Sequence, residues 1–161
     1  MKKNRLLIAT GNMGKAKEMK QFLADLPFDI LTVHDLDVLP DEPEETGSTL
    51  EENAMLKARY YAEQSGMLAL ADDSGFFIKA LDEWPGIKAA RIADTEDSRC
   101  ELVIEKLKGM NDRSAQYRTA MAFYDPKQQS MYTTLGTMDL TIEETFSGEP
   151  MGMGMIQFFG T

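Results

Sequence analysis

The first half of the chain alternates short apolar runs with a stretch of helical periodicity. Residues 6–9 are a short, continuous apolar run of the kind that forms a buried strand of a parallel sheet, and residues 30–33 are expected to form the next strand. Between them, apolar side chains recur at helical spacing: Met19, Phe22, Leu23 and Leu26. This stripe predicts a helix that starts at about Lys15 and is ended by Pro27. The pattern therefore predicts a β-α-β unit.

The segment that joins the first strand to this helix reads TGNMGK. It supplies two glycines, two hydrogen-bonding side chains and a lysine, namely Gly11, Gly14, Thr10, Asn12 and Lys15. Free backbone N–H groups and the helix dipole make a helix N-terminus favourable for phosphate. The Walker A spacing is absent, so on the residues alone a phosphate loop and a plain tight turn both remain open.

A second helix is predicted over residues 50–65, with Gly66 as its stop. Its buried face consists of Leu50, Ala54, Ala58 and Tyr61. Asn53 and Lys57 lie four residues apart on a neighbouring face and could reach one site together, although a lysine in such a place is commonly solvent-exposed. The acidic loop before this helix, residues 41–47, has solvated surface as its ordinary interpretation.

Two adjacent carboxylates follow the next apolar run, residues 68–71. We expect Asp72 and Asp73 to end a buried strand that Ser74 and Gly75 close as a turn. Neighbouring acids in such a place repel each other and lose solvation, so they need a cation, a proton or strong donors nearby. Mg²⁺, which prefers carboxylate oxygen, would meet that need. An ordinary acidic turn is the alternative.

The second half carries fewer chemical signals. Residues 76–81 form a second apolar segment, either short helix or strand, and a third helix is predicted from near Ser98 to Lys108. Alternation over residues 115–123 and a return over 131–135 predict a hairpin that turns at Asp125 and Pro126. The tail from residue 148 is rich in Gly, Met and Phe.

Composition and charge narrow the class of protein. With 161 residues, no internal repeat and no flexible linker, the chain is predicted to be one domain. A formal net charge of -10 argues against a nucleic-acid or anionic-membrane surface. Cys100 is the only cysteine, which suits a reducing compartment. The basic start is followed by an apolar run too short for a signal peptide, and no run approaches a membrane span, so we expect a cytoplasmic protein.

Several stretches taken together resemble one family. They are residues 9–15 with Glu18, the ETG motif at 45–47 after Glu44, the ENA and KA elements within 52–58, the ADDSG motif at 71–75, and the later Pro85-Gly86 and Ala90-Arg91 pairs. Their residues and order resemble the Ham1-like inosine/xanthosine triphosphate pyrophosphatases. The similarity covers residue 6 to about residue 125, and the motifs are jointly far more specific than a single match.

This resemblance implies an α/β fold with a long mixed central sheet and flanking helices in two lobes, and usually a homodimer. It also implies a Mg²⁺-dependent activity that removes pyrophosphate from non-canonical purine nucleoside triphosphates and leaves the monophosphate. The alternative is a protein that kept the fold and binds nucleotides or partners without turnover. A plain acidic structural domain would leave the two loop glycines and the paired aspartates unexplained.

Matched residue by residue, the resemblance assigns roles to each motif. Thr10, Asn12 and Lys15 would hold the triphosphate, with Gly11 and Gly14 shaping their loop. Glu45 and Asp73 would hold the metal, and Asp73 would also position or deprotonate the attacking water. Lys57 would neutralise phosphate charge, so that Lys15, Lys57 and Asp73 form the catalytic set. The substrate-binding set would be completed by Asp72, Ser74 and Arg91.

The end of the chain departs from the family's pattern. The family continues with a Gly-Phe-Gly-Tyr-Asp-Pro-like loop, then a lysine and a Ser-His-Arg motif that grips the base. Here residues 152–159 read GMGMIQFF, the only histidine is His34, and no lysine or arginine follows Lys127. We therefore expect a complete triphosphate and metal half of the site and weak discrimination between bases.

Overall fold

The structure, a computed structural model, describes residues 4–37 and 41–145, and these residues form a mixed sheet with helices. The strands are β1 (Asn4–Ile8), β2 (Phe28–Thr32), β3 (Leu68–Ile78), β4 (Pro85–Gly86), β5 (Ser114–Asp125) and β6 (Ser130–Thr141). The α-helices are α1 (Met13–Phe22), α2 (Leu50–Ser65) and α3 (Glu96–Lys106). Short 3-10 turns cover Val33–Asp35, Lys79–Leu81 and Ala89–Arg91.

The sheet runs in the order β2-β1-β3-β5-β6, with β4 paired to β3. Strands β1 and β2 are parallel, as are β1 and β3, whereas β4 is antiparallel to β3. The parallel part is the predicted β-α-β unit, since α1 connects β1 to β2. The α/β class and the mixed sheet predicted from the sequence are confirmed.

The described residues divide into two compact units. The first consists of the residues up to Asp73 together with Ala120–Leu135, and the second of Ser74–Thr119 with the described residues from Gly136 onward. In the first unit the apolar run of β1 is buried, as are the alanines that recur along one face of α2 at 54, 58 and 62. The second unit has its own core, formed by Phe76, Ile78, Ala89, Cys100, Val103, Leu107, Ala115 and Ile142.

Helix α2 has the predicted bounds because both of its ends are capped. Thr49 accepts a hydrogen bond from the Glu52 N–H at 3.1 Å, and Gly66 takes the left-handed conformation (φ 68°) that ends the helix. The Glu52 carboxylate accepts from the backbone N–H and the hydroxyl of Ser48, and these bonds hold the pKa of Glu52 below its ordinary value. Thr49 is thus the N-cap of α2.

The predicted buried stripe of α1 is wrong. The helix ends at Phe22, and the N–H of Leu23 caps it by bonding to the Met19 carbonyl at 3.0 Å. Leu26 therefore lies beyond the helix and cannot continue the stripe. Phe22 is 88% exposed and Leu26 is 42% exposed, and Ala16 is the buried residue of this helix.

The expected turn at Ser74 and Gly75 is also wrong. Strand β3 runs without interruption from Leu68 to Ile78, so both aspartates lie in mid-strand. The apolar segment after them is the same strand, followed by the 3-10 turn Lys79–Leu81. A strand can keep two adjacent carboxylates here because Lys15 and Lys57 pair with them.

Helix α3 and the hairpin follow the predicted pattern with shifted bounds. Helix α3 begins two residues before the predicted start, where Thr95 caps it by accepting from the Ser98 N–H at 3.1 Å. Cys100, Val103 and Leu107 of its apolar stripe are fully buried. Strands β5 and β6 are sheet neighbours, as the predicted hairpin requires; β5 nearly matches its predicted bounds, whereas β6 continues to Thr141, well beyond the predicted end at Leu135. Residues 146–161, which include the tail, lie outside the described residues.

Cys100 should resist alkylation in the folded protein. Its side chain is fully buried, and this desolvation raises the pKa of the thiol to about 11, so little nucleophilic thiolate forms at neutral pH. We expect iodoacetamide to label native protein at pH 8 far more slowly than protein unfolded in urea, as followed by intact mass. Equal labelling rates in the two states would contradict this packing of α3.

Candidate active site

The site is built where strands β1 and β3 run side by side. The two strands are parallel, with Ile8 opposite Leu70, and the Ala9 N–H bonds to the Leu70 carbonyl at 2.8 Å. Because neighbouring parallel strands point the same way, the loop after β1 and the aspartates after Leu70 lie near the same place. Crevices beside the carboxyl ends of parallel strands are the usual ligand sites of such sheets.

The loop after β1 is held by its own polar side chains. The Asn12 carbonyl oxygen Oδ1 accepts from the Lys15 N–H at 3.0 Å, which makes Asn12 the N-cap of α1 and starts the helix at Met13, not at Lys15. The Asn12 N–H donates to Thr10 Oγ1 at 3.3 Å. A Cβ on Gly14 would lie 3.2 Å from Asn12 Oδ1, so the glycine leaves room for this cap.

Lys15 and Asp72 form the first ion pair of the site. Lys15 Nζ lies 3.0 Å from Asp72 Oδ2 although 57 residues separate them, and 27% of the lysine side chain is exposed against 9% of the aspartate. The lysine from the loop therefore neutralises the first of the two strand carboxylates. Its partial exposure leaves it accessible to an anion from outside.

Lys57 joins the second strand carboxylate to the acidic loop. Its Nζ lies 2.9 Å from Glu45 Oε1 and 3.6 Å from Asp73 Oδ1, and only 13% of its side chain is exposed. Lys57 is therefore mostly buried, unlike the solvent-exposed lysine that is common in such a place. Glu45 and Asp73 thus both lie within ion-pair distance of one ammonium group, that of Lys57.

Asn53 was not among the predicted site residues, yet it connects Asp73 to the acidic loop. It is 3% exposed, its Nδ2 donates to Asp73 Oδ2 at 3.1 Å, and its Oδ1 accepts from the Gly47 N–H at 2.8 Å. A carboxylate only accepts and a backbone N–H only donates, so the orientation of the amide is fixed. The spacing of Asn53 and Lys57 on α2 was the signal that pointed to it.

Gly47 permits this arrangement because it has no side chain. A Cβ there would lie 2.6 Å from Asn53 Oδ1 and 2.8 Å from the Glu52 Cβ, which no substituted residue could accept without movement. The chain can therefore pass close enough to α2 for Glu45 to reach Lys57. Gly47 of the acidic loop thus serves the geometry of the site.

Two predicted residues belong to the second unit. Ser74 follows Asp73 on β3, and its Oγ forms a hydrogen bond with Thr119 Oγ1 at 2.9 Å. Arg91 ends the turn Ala89–Arg91, and its N–H donates to the Lys88 carbonyl at 2.8 Å. Of the residues assigned by the resemblance, those that make the described ion-pair cluster are Lys15, Glu45, Lys57, Asp72 and Asp73.

Two kinds of feature are absent from the part of the chain that the structure describes. Among residues 4–37 and 41–145, no three His, Cys, Asp or Glu side chains come together as ligands for one metal ion. None of the helices in that part of the chain has the length and apolar character needed to cross a membrane.

The chain is similar in sequence to curated proteins that are named dITP/XTP pyrophosphatase. A dITP/XTP pyrophosphatase from Exiguobacterium sp. is 41% identical over 150 residues, which are 90% of this chain and 74% of the relative. One from Haemophilus influenzae is 49% identical over 94 residues, but that match covers 58% of this chain and only 47% of the relative.

Solved structures match as well. A HAM1 protein from Coxiella burnetii superposes with a TM-score of 0.79 at 34% identity, covering 88% of this chain and 74% of that one. The Staphylococcus aureus Ham1 protein gives a TM-score of 0.78 at 31% identity, with 88% and 73% coverage. The Ham1 family profile itself matches residues 6–154. The resemblance seen in the motifs is confirmed: this chain belongs to the Ham1 family.

Proposed function

We propose that the protein is a nucleoside triphosphate pyrophosphatase that uses one water to cleave a triphosphate into the monophosphate and pyrophosphate. The observation that carries this proposal is two ion-pair groups built on adjacent residues of β3 beside the end of β1: Lys15 with Asp72, and Lys57 with Asp73 and Glu45. Relatives that span most of this chain are named dITP/XTP pyrophosphatase, so non-canonical purine triphosphates are the proposed substrates.

The loop and Lys15 would bind the phosphates. The helix dipole favours an anion at the start of α1, and Lys15 brings a positive charge to the same place. Lys15 already pairs with Asp72, so an incoming phosphate shares or replaces that partner. Thr10 and Asn12 keep the loop in the shape that presents these donors.

The residues present fit a hard divalent cation. Glu45 and Asp73 offer carboxylate oxygen, and both already lie within ion-pair distance of one ammonium group. The described ion pairs involve three carboxylates and two lysines, so they bring no net positive charge with which to neutralise a triphosphate. We propose Mg²⁺, held by Glu45 and Asp73; when bound, it supplies charge neutralisation and orientation of the phosphates.

Asp73 would position the attacking water. Asn53 and Lys57 hold one oxygen each of its carboxylate, so the group is fixed in the site as a hydrogen-bond acceptor. An acceptor in a fixed place can orient a water and take its proton as the water attacks phosphorus. Lys57, which lies between Glu45 and Asp73, compensates charge as the phosphates enter. Phosphoryl transfer needs this positioning and neutralisation more than a covalent nucleophile.

No observation within the described residues favours the non-catalytic alternative. The charged residues of the first unit to which the resemblance gives a role all make ion pairs with one another. Ser74 and Arg91 are proposed as further substrate contacts. A homodimer in the cytoplasm is proposed from the family resemblance, and the single buried thiol of Cys100 is compatible with a reducing compartment.

The test is a product assay on the purified protein with inosine, xanthosine, adenosine and guanosine triphosphates. We expect monophosphate and pyrophosphate in the presence of Mg²⁺ or Mn²⁺, and loss of activity in excess EDTA that added Mg²⁺ restores. Ca²⁺ should work poorly, since it prefers more ligands at longer distances. Release of orthophosphate with a diphosphate would refute the reaction, and full activity in EDTA would remove Glu45 and Asp73 from the metal role. The same panel ranks the bases.

A further inference from the structure

The 3-10 turn after β2 lies beside the phosphate-binding loop. Strands β1 and β2 are parallel, with Ile8 opposite Thr32, so the turn Val33–Asp35 and the loop after β1 leave the sheet next to each other. The only histidine of the chain is in this turn. Its ring Nε2 lies 3.1 Å from the Gly11 carbonyl oxygen. Because a carbonyl oxygen only accepts, Nε2 must carry the proton and donate.

The His34 contact helps to fix the peptide group between Gly11 and Asn12, because the carbonyl and the N–H of that group are both hydrogen-bonded. The carbonyl of Gly11 and the N–H of Asn12 belong to the same planar unit and point in opposite directions. His34 binds the carbonyl, and Thr10 Oγ1 accepts from the N–H at 3.3 Å. Rotation of this unit would break both bonds. It would also turn a carbonyl oxygen, which carries partial negative charge, toward the side on which the phosphates are proposed to bind.

The turn that presents His34 is itself well anchored. Asp35 Oδ2 accepts from the Thr32 N–H at 2.8 Å and from Thr32 Oγ1 at 3.0 Å, and these bonds hold the pKa of Asp35 below its ordinary value. Lys20 Nζ on α1 lies 3.5 Å from the same oxygen. Val33 is 1% exposed and fixes the turn to the core. The imidazole is exposed, so its removal should cost little packing energy.

We propose that His34 is a positioning residue for triphosphate binding: it holds the Gly11 carbonyl away from the anion and so keeps the loop ready to receive the phosphates. This inference rests on the proposed function. His34 touches neither the ion-pair cluster nor the reacting atoms in this account, and it acts through the Gly11–Asn12 peptide. Its loss should therefore weaken binding of the triphosphate with little change in the chemical step.

The experiment compares His34→Ala, His34→Gln and His34→Asn with wild type and with Lys15→Ala. The probes are magnesium tripolyphosphate, by titration calorimetry, and inosine triphosphate, by steady-state kinetics. A single hydrogen bond contributes a factor of about two to ten, so we expect His34→Ala to raise Kd and KM by that factor with kcat nearly unchanged. Glutamine can place its amide nitrogen near the position of Nε2 and should restore wild-type values, whereas the shorter asparagine should not.

The outcomes separate this inference from the proposed function. If Lys15→Ala weakens tripolyphosphate binding but His34→Ala does not, the role of His34 is refuted and the phosphate site stands. Equal losses in the alanine and glutamine variants would also refute it, because the hydrogen bond would not be the cause. If Lys15→Ala binds tripolyphosphate as wild type does, the phosphate site itself is wrong, and both proposals fall. A fall in kcat larger than the rise in KM would place His34 in the chemical step and overturn the positioning role.

Discussion

Replacing Asp73 with asparagine should lower turnover by about 10²–10⁴-fold, the contribution typical of a positioned general base. Asparagine has the same shape, so the strand and the neighbouring packing should persist. It lacks the negative charge that Lys57 and the proposed metal require, and it is a poor proton acceptor. The measurement is kcat for inosine triphosphate at saturating Mg²⁺, with circular dichroism to confirm the fold.

The matched control for this variant is Asp29→Asn. Asp29 lies on β2, where 57% of its side chain is exposed and its only described ion pair is a 3.9 Å contact with Arg5. Exposed pairs of this kind contribute little, so activity and stability should stay near wild type. The role of Asp73 would be wrong if its variant were folded and kept more than about a tenth of the wild-type rate, far outside the expected range.

Replacing Lys15 with alanine should raise KM for the triphosphate by about tenfold or more, because hydrogen bonds to charged groups contribute about 1.5–3 kcal/mol. Binding of the corresponding monophosphate should weaken less, since Lys15 at the start of α1 is proposed to meet the outer phosphates. The variant also removes the ammonium partner of the nearly buried Asp72, so we expect a lower Tm. The kinetics are therefore measured well below that Tm.

Lys17→Ala provides the comparison on the same helix. Lys17 is exposed on α1, and no ion pair is described for it, so its loss removes the same charge from the protein without touching the cluster. Its effect on KM should be small. If the two variants weakened triphosphate binding equally, a general loss of positive charge would explain the result. If Lys15→Ala weakened monophosphate and triphosphate binding equally, the assignment to the outer phosphates would be wrong.

Much of the fold could be predicted because local signals agreed with tertiary packing. The apolar runs of β1 and β2 are buried or half-buried, and Gly66 ends α2 in the left-handed conformation its position predicts. Helix α1 shows where local periodicity fails. Its stripe has the correct spacing, but the helix ends at Phe22, and spacing alone does not reveal where backbone bonds stop.

The residue types of the candidate site could be predicted from the sequence, but which side chains pair with one another could not. Adjacent carboxylates after an apolar run indicated a need for neutralisation, and the structure meets it with Lys15 and Lys57. The sequence could not show that β3 would continue through those carboxylates, because their partners come from distant parts of the chain. Likewise, no local pattern connects His34 to Gly11, since only the parallel pairing of β1 and β2 brings them together.

The central claim is that this protein hydrolyses a triphosphate to monophosphate and pyrophosphate at the Lys15–Asp72 and Lys57–Asp73 cluster. Its most direct test is a single-turnover assay with enzyme in excess over inosine triphosphate, in which products are resolved by ³¹P NMR. We predict one equivalent each of monophosphate and pyrophosphate from wild type with Mg²⁺, and unchanged triphosphate over the same time with Asp73→Asn. Equal product formation by the two proteins, or a diphosphate with orthophosphate from wild type, would contradict the account.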